Sequence, residues 1–196
     1  MDEWAGKRLV ILGLARQGKA LARFAAEVGA KVTISDMRPA EKLVDEMADL
    51  ADLEIEYVLG GHPMSLVDKA DILAISGGVP ADAEIVTRAN DLGVQVTNDS
   101  QEFIRRAMAQ TIGITGSAGK TTTTALTGVM AQIAERRVWV GGNIGKPLIS
   151  DLHKMAPTDL VVQELSSFFF FNDPETTEIY TVASPRRNHR RRYSPG

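Results

Sequence analysis

The first hundred residues alternate short apolar runs with stretches in which apolar residues recur every three or four positions. Apolar runs of four or five residues are typical of buried strands, and the longer spacing is typical of amphipathic helices. The pattern predicts strands at 8–12, 31–35, 55–58, 72–75 and 94–96, with helices at 20–28, 43–53, 83–92 and around 103–107. This alternation predicts an α/β fold in which helices cover both faces of a parallel sheet.

A second strand–turn–helix unit begins near residue 110. It has a predicted strand at 111–115, a glycine-rich turn, a helix that opens at Lys120, and further strands at 138–140 and 160–164. No flexible linker separates the two units. The predicted domains are therefore 1–109 and 110–167.

The residues from 168 onward differ in composition from the rest. Residues 168–171 are four of the six phenylalanines in the chain, and five arginines lie between 186 and 192. A basic tail can serve as a nucleic-acid arm, but the stretch 168–181 resembles translated sequencing-adapter read-through. We therefore interpret 168–196 as an artefactual or disordered tail and base no functional inference on it.

Composition and charge exclude several classes of protein. The 196 residues include 22 Lys and Arg against 25 Asp and Glu, so a net charge of −3 gives no general attraction to nucleic acid or to an anionic membrane. No apolar run approaches the roughly 20 residues that span a bilayer, and the first residues lack a signal-peptide pattern. The absence of cysteine excludes disulfides, thiol nucleophiles and cysteine-bound zinc. We expect a cytoplasmic protein.

The strongest chemical signal is the segment 113–122, GITGSAGKTT. Backbone N–H groups of such a turn converge on a polyphosphate, and the N-terminus of the following helix adds partial positive charge. Lys120 can reach the β- and γ-phosphates, and the hydroxyl of Thr121 can ligate Mg²⁺. Ile114 stands where the strict phosphate-loop pattern has its first glycine, so a structural turn is the alternative. The flanking strand and helix favour ATP binding.

Glu164 closes a later predicted strand of the same unit. A carboxylate beside a phosphate loop is well placed to bind Mg²⁺, which prefers oxygen ligands. On its position alone, a glutamate at a strand end is more often a helix cap or a solvated residue than a metal ligand.

A second glycine-rich turn, residues 13–18 (GLARQG), lies between the first strand and the first helix, and Asp36 closes the second strand. The order resembles a dinucleotide fingerprint, although Ala15 replaces the middle glycine. This motif alone leaves NAD binding, nucleotide-sugar binding and a purely structural turn open. Residues 76–78 (SGG) form a third loop on the same edge, which favours a pocket for an extended anionic ligand.

Three segments in this order, 113–122, 142–145 (GNIG) and 164–168 (ELSSF), resemble the Mur ligases, the ATP-dependent amide ligases of peptidoglycan synthesis. The opening segment 6–18 is most similar to the members that add D-glutamate. The resemblance covers about 1–168. It implies a Rossmann-like UDP-sugar domain followed by the first part of a P-loop ATPase α/β domain, with a further C-terminal domain missing from this chain.

The reaction implied by the resemblance transfers the γ-phosphate of ATP to the carboxylate of UDP-N-acetylmuramoyl-L-alanine. The amine of D-glutamate then attacks the acyl phosphate. ATP and Mg²⁺ are the implied cofactors, the complete protein is expected to be a monomer, and this chain alone is expected to be inactive. The alternatives are a Mur-type ligase for another amino acid and a non-enzymatic NAD-binding module.

The resemblance also implies roles for individual residues. It implies Lys120, Asn143 and Glu164 as catalytic residues, and Thr121 and Glu164 as Mg²⁺ ligands. The residues implied to bind ATP are Gly116, Ser117, Ala118, Gly119, Lys120, Thr121 and Thr122. The residues implied to face the UDP-sugar are Leu14, Ala15, Arg16, Gln17, Asp36, Ser76, Gly78 and Asn143. We interpret the likeness of His189 to the histidine motif of the family as coincidence.

Overall fold

The first unit is a five-stranded parallel sheet. A computed structural model describes residues 1–80 and 82–166, together with the backbone of 179–181. The strands are β1 (Arg8–Leu12), β2 (Lys31–Asp36), β3 (Ile55–Leu59), β4 (Ile72–Ile75) and β5 (Gln95–Thr97). Their order in the sheet is β3-β2-β1-β4-β5, and every neighbouring pair is parallel. The α/β fold expected from the sequence is confirmed.

Helices lie on both faces of this sheet because its central strand is apolar on both sides. The helices are α1 (Arg16–Glu27), α2 (Val44–Ala48), α3 (Glu84–Asp91) and α4 (Asp99–Arg106). Leu9 and Ile11 of β1 pack in the same cluster as residues of α1 and α4. Val10 and Leu12 face the other way, into the cluster that contains buried residues of α3.

The second unit is a smaller parallel sheet with the order β7-β8-β6-β9. Its strands are β6 (Gln110–Thr115), β7 (Val138–Gly142), β8 (Leu160–Glu164) and β9 (Ile179–Thr181), and its helix is α5 (Lys120–Ile133). A 3₁₀ helix, Leu148–Lys154, lies between β7 and β8 in the chain. The backbone of β9 is the described part of the predicted tail, and it pairs with β6.

The two units share buried apolar contacts. Leu148 and Ile149 of the 3₁₀ helix belong to the same buried cluster as Leu21 of α1 and Phe103 of α4. Val161 of β8 completes the cluster from the second sheet. The division of the chain into two domains at 109/110 stays a prediction. The two units on either side of it contribute to one continuous apolar core.

One predicted helix is much shorter than the sequence pattern indicated. The pattern at 43–53 folds as a 3₁₀ turn, Ala40–Lys42, followed by the five-residue α2, and the chain continues in turns to β3. Leu43 and Leu50 are both buried, so turns bury the apolar residues that a longer helix was expected to bury.

Some sequence-based predictions lie outside the described residues. These are the residues 167 and 168 of the ELSSF segment, most of the predicted tail, and His189. In the described part of the chain, every helix is too short or too polar to cross a bilayer.

Candidate functional site

The register of the first sheet brings three loops to one edge. Leu12 at the end of β1 lies opposite Ser35 of β2 and Ile75 of β4. The turn 13–18, the residue Asp36 and the loop 76–78 therefore all begin where parallel strands present their carboxyl ends, the usual position of ligand sites in such sheets.

Close packing explains the glycines of the first turn. Gly13 has a φ of +98°, a conformation that side chains disfavour. A Cβ atom on Gly18 would lie 1.9 Å from the carbonyl oxygen of Gly13, and one on Gly13 would lie 2.2 Å from the Ser76 hydroxyl. These glycines let α1 begin directly above the sheet edge, whatever ligand binds there. The N-terminus of α1 has no capping side chain and no acidic residue in its first turn, which leaves its N–H groups suited to an anion.

Asp36 is engaged by the protein itself. One carboxylate oxygen accepts hydrogen bonds from the N–H of Leu14 at 2.8 Å and from Arg38 Nη2 at 3.0 Å. The other accepts from the N–H and Nε of Arg38 at 2.9 and 3.0 Å. Burial would raise the pKa of Asp36, but the hydrogen bonds from Arg38 and Leu14 outweigh it and lower the pKa to about 2.

Four donors nearly saturate a carboxylate, so Asp36 has little capacity left to accept hydrogen bonds from a ribose or a base. Its observed role is to hold the first turn through the backbone of Leu14, whose side chain is fully buried. The sequence analysis missed Arg38, which is half-exposed and also pairs with Glu46. Its position, two residues beyond the strand-end aspartate, is the sequence signal that could have identified it.

Like Arg38, His62 lies at this edge of the sheet but belongs to no sequence motif. Its Nδ1 lies 2.8 Å from the hydroxyl of Ser35, the buried residue before Asp36. Burial lowers the pKa of His62, and the charge of Asp36 opposes that change. A predominantly neutral imidazole therefore lies beside the end of β2 at neutral pH.

The phosphate-loop segment has the predicted strand–turn–helix form. β6 ends at Thr115, Gly116 and Gly119 have φ values of +151° and +79°, and α5 begins at Lys120. The exposed residues of the turn are Ser117, Ala118 and Gly119, followed by Thr121 and Thr122 at the helix start. The ammonium of Lys120 donates to the carbonyl of Gly116 at 2.7 Å, which places the cation over its own loop.

The second sheet brings Glu164 to this loop. Ile114 of β6 and Gly142 of β7 both lie opposite Glu164 in the register. Glu164 is 2% exposed, and its Oε2 accepts a hydrogen bond from the Thr121 hydroxyl at 2.8 Å. The two residues predicted to share a metal ion are therefore in direct contact.

Asn143 lies on the other side of the same carboxylate. Its Nδ2 donates to Glu164 Oε1 at 3.4 Å, and its backbone N–H donates to the carbonyl of Glu164 at 2.9 Å. A Cβ atom on Gly142 would lie 2.5 Å from that same carbonyl oxygen. The glycine before Asn143 is thus required for this close approach of β7 to β8.

Asn143 also contacts the loops of the first unit. Nη2 of Arg16 donates to the carbonyl of Asn143 at 3.1 Å. A Cβ atom on Gly77 would lie 4.0 Å from Asn143 Oδ1 and 3.2 Å from Gln17 Oε1. Asn143 therefore bonds both the first glycine-rich turn and Glu164 of the Thr121–Glu164 pair, and it lies beside the loop 76–78.

The donor set near the phosphate loop suits Mg²⁺ bound together with phosphate. The structure supplies one hydroxyl and one carboxylate, both hard oxygen ligands. Within 1–80 and 82–166 there is no cluster of three or more His, Cys, Asp and Glu side chains that could hold a metal ion without other ligands. Proteins commonly bind Mg²⁺ through one or two side chains while phosphate oxygens and water complete the shell.

Comparisons with known proteins find similarity to Mur ligases. Residues 7–98 match the family model described as Mur ligase MurD-like, N-terminal domain. A curated relative from Syntrophotalea carbinolica, named UDP-N-acetylmuramoylalanine--D-glutamate ligase, is 42% identical over 168 residues, which are 86% of this chain and 37% of the relative. A relative of the same name from Clostridium botulinum is 34% identical over 183 residues, 93% of this chain and 40% of the relative.

This chain thus spans about two fifths of the length of these curated relatives. Among solved structures, a pseudomurein peptide ligase type C from Methanothermus fervidus is 28% identical and overlaps 82% of this chain and 33% of its own, with a TM-score of 0.47. Residues 7–98 of this chain thus match a MurD-like Mur ligase N-terminal domain, and most of the chain is similar in sequence to curated D-glutamate ligases.

Proposed function

We propose that this chain is the N-terminal part of an ATP-dependent ligase that adds D-glutamate to UDP-N-acetylmuramoyl-L-alanine. The observation that carries the proposal is the position of Asn143, which hydrogen-bonds Glu164 beside the phosphate loop and accepts from Arg16 of the first glycine-rich turn. A ligase that phosphorylates a UDP-sugar carboxylate needs its two anionic substrates at one place. The names of the relatives support this choice of substrates.

The nucleotide site in this proposal is the turn 116–119 with the first residues of α5. Exposed backbone N–H groups of Ser117, Ala118 and Gly119 would contact the phosphates of ATP, and Lys120 would exchange its bond to Gly116 for the β- and γ-phosphates. Thr121 and Glu164 would hold Mg²⁺. When bound, Mg²⁺ would neutralise phosphate charge that opposes the approach of a carboxylate.

The UDP-sugar site in this proposal is the edge formed by 13–18 and 76–78. The uncapped start of α1 suits the diphosphate, since Ala15 is exposed and the residues after it offer free N–H groups. Ser76 and Gly78 border the same edge, and Asn143 would contact the muramoyl part. Leu14 and Asp36 would contribute by holding the turn in shape.

The chemistry follows from this placement. A carboxylate oxygen of UDP-N-acetylmuramoyl-L-alanine attacks the γ-phosphorus of ATP, and ADP leaves. The free amine of D-glutamate then attacks the acyl carbon, inorganic phosphate leaves, and the amine loses a proton. The role of Lys120 is electrostatic, because the transferring phosphoryl group carries charge that a nearby cation stabilises.

The direct test is the Lys120→Ala variant of the full-length protein, assayed by D-glutamate-dependent phosphate release. We expect kcat/KM to fall about 100-fold or more, the usual result of removing a donor to developing charge. Lys31→Ala is a matched control because Lys31 is exposed at the opposite edge of the first sheet. Unchanged turnover in Lys120→Ala would contradict the phosphate role.

We also propose a cytoplasmic monomer that acts without nucleic acid or membrane, as expected from composition and charge. For this chain alone we expect no amide formation. D-glutamate-dependent phosphate release by the 196 residues would contradict that expectation.

A further inference from the structure

Asp99 is a buried carboxyl group that the proposed chemistry does not use. It is the first residue of α4 and is 6% exposed. Together with Gln17 and Ser76 it borders a small space beneath the ligand edge of the first sheet. Its position is thus directly behind two loops of the proposed UDP-sugar site.

The contacts of Asp99 lead to the first turn of α1. The Gln17 side chain and the Asp99 carboxyl group border the same small space, where Gln17 favours the ionised carboxylate, and the Arg16 guanidinium is the nearby charge. The Oε1 atom of Gln17 in turn lies 3.2 Å from where a Cβ on Gly77 would be. Gln17 therefore lies between Asp99 and the backbone of the loop 76–78.

The neighbouring residue extends this arrangement to the second unit. Arg16 precedes Gln17 on the same helical turn, and its Nη2 bonds the carbonyl of Asn143. Asn143 bonds Glu164, and Glu164 bonds Thr121. The series leads from a buried carboxyl group in the first unit, through the adjacent residues Gln17 and Arg16, to the proposed Mg²⁺ ligands in the second.

We propose that Asp99 is a positioning residue: by fixing Gln17 and the Arg16–Asn143 contact, it couples binding in the UDP-sugar cleft to binding at the nucleotide and metal site. The inference rests on the proposed function. It adds a residue outside the predicted site and a thermodynamic role for the contact between the units.

The burial of Asp99 supports a role other than stability. Burial raises its pKa to about 6, against the opposing hydrogen bonds from the backbone of Ser100 and from Gln17. A carboxylate that ionises with difficulty disfavours the folded state at neutral pH. An asparagine has nearly the same shape, so Asp99→Asn should raise stability while weakening the coupling. A residue that only held the fold together would not separate these two effects.

The test measures the Kd of UDP-N-acetylmuramoyl-L-alanine by calorimetry on the full-length protein, with and without Mg²⁺ and a non-hydrolysable ATP analogue. For the unchanged protein we expect the analogue to tighten binding about fivefold or more, the lower range of measured couplings. In Asp99→Asn the Kd of the UDP-sugar with the analogue should differ from the Kd without it by no more than about twofold. The Kd of the analogue alone should change little.

Two further variants sharpen the result. Gln17→Ala should lose the coupling as well, and the double variant should lose no more than either single change, because both residues act through one contact. Asp71→Asn is the matched control, since Asp71 pairs with Arg8 at the opposite edge of the same sheet. We expect it to keep the coupling of the unchanged protein.

Each other outcome counts against the inference. Wild-type coupling in Asp99→Asn, or additive losses in the double variant, overturns the role of Asp99. Independent binding of both ligands to the unchanged protein overturns the coupling and leaves the proposed function in place. Failure of the unchanged protein to bind the UDP-sugar overturns both.

Discussion

The helices α1 and α5 follow glycine-rich turns at the ends of parallel strands, yet they bury very different faces. Leu21, Ala22 and Ala25 of α1 are at most 2% exposed and pack into the main core. The buried residues of α5 are only Thr124 and Gly128. Its apolar side chains instead face solvent among the described residues, with exposures of 51–78% for Leu126, Val129, Met130 and Ile133.

This difference shows that the conformation of the loop before a helix and the burial of the helix have separate causes. The loop before each helix contains glycine with a positive φ, namely Gly13 in the first loop and Gly116 and Gly119 in the second. Both turns therefore depend on backbone conformation. Stability comes mainly from buried apolar area. The helix α1 of the first unit buries more apolar side chains than α5 does. Gly128 marks how α5 is held: a Cβ there would lie 2.6 Å from Cγ2 of Val140, so helix and sheet touch closely along a narrow strip.

The largest expected effect contrasts one leucine from each helix. Leu21→Ala removes a side chain that is 2% exposed and should lower the free energy of unfolding by about 3–4 kcal/mol. Leu126→Ala removes one that is 58% exposed and should change it by less than about 0.5 kcal/mol. Urea denaturation followed by circular dichroism measures both. Equal losses would show that α5 is covered in solution and would remove the contrast.

A second pair of variants tests the close approach at the first turn. Gly18→Ala would place a methyl group 1.9 Å from the carbonyl oxygen of Gly13, and backbone cannot move aside cheaply. We expect a loss of about 2–3 kcal/mol. Gly78→Ala meets no atom within 4 Å and serves as the control, with unchanged stability expected. A thermal melt of Gly18→Ala that matches wild type would contradict the described geometry of the turn.

The smallest expected effect concerns Asp99 and depends on pH. Its folded pKa of about 6 lies above the unfolded value of about 3.9, so the folded state binds more protons between these values. Stability should therefore fall as pH rises from about 4 to 6 and stay lower above that. Gln17 and Ser76, which border the same space as Asp99, have side chains without an ionisable carboxyl, amine or imidazole group, and the Arg16 guanidinium is the nearby charge.

Asp99→Asn should remove this pH dependence. We expect the variant to be more stable than wild type by about 2 kcal/mol at pH 7.5, with the difference vanishing below pH 4. Denaturant midpoints measured across that range give the result. A variant that is less stable than wild type at pH 7.5 would contradict the raised pKa.

The sequence predicted the strands well because buried parallel strands are short apolar runs bounded by glycine or polar residues. β1 was predicted at its observed bounds, and the phosphate loop was placed correctly between β6 and α5. The segment 43–53 was predicted poorly, since apolar periodicity does not distinguish a helix from successive turns that bury the same two leucines.

Contacts between the units could not be predicted from spacing. The Thr121–Glu164 pair follows from strand register and was expected. The Arg16–Asn143 bond joins residues far apart in sequence and depends on how two sheets pack, which no local pattern encodes. Asp36 also shows a contact that spacing in the sequence could not predict. Its position was right, but the neighbouring Arg38 occupies its carboxylate, and only coordinates reveal that.

The most direct test of the central claim is calorimetric titration of the full-length protein with UDP-N-acetylmuramoyl-L-alanine and, separately, with NADH. The edge formed by 13–18, 76–78 and Asn143 is proposed to bind a UDP-sugar, and the saturated carboxylate of Asp36 leaves little for an NADH ribose. We predict binding of the UDP-sugar and none of NADH. Tight binding of NADH without binding of the UDP-sugar would contradict the account.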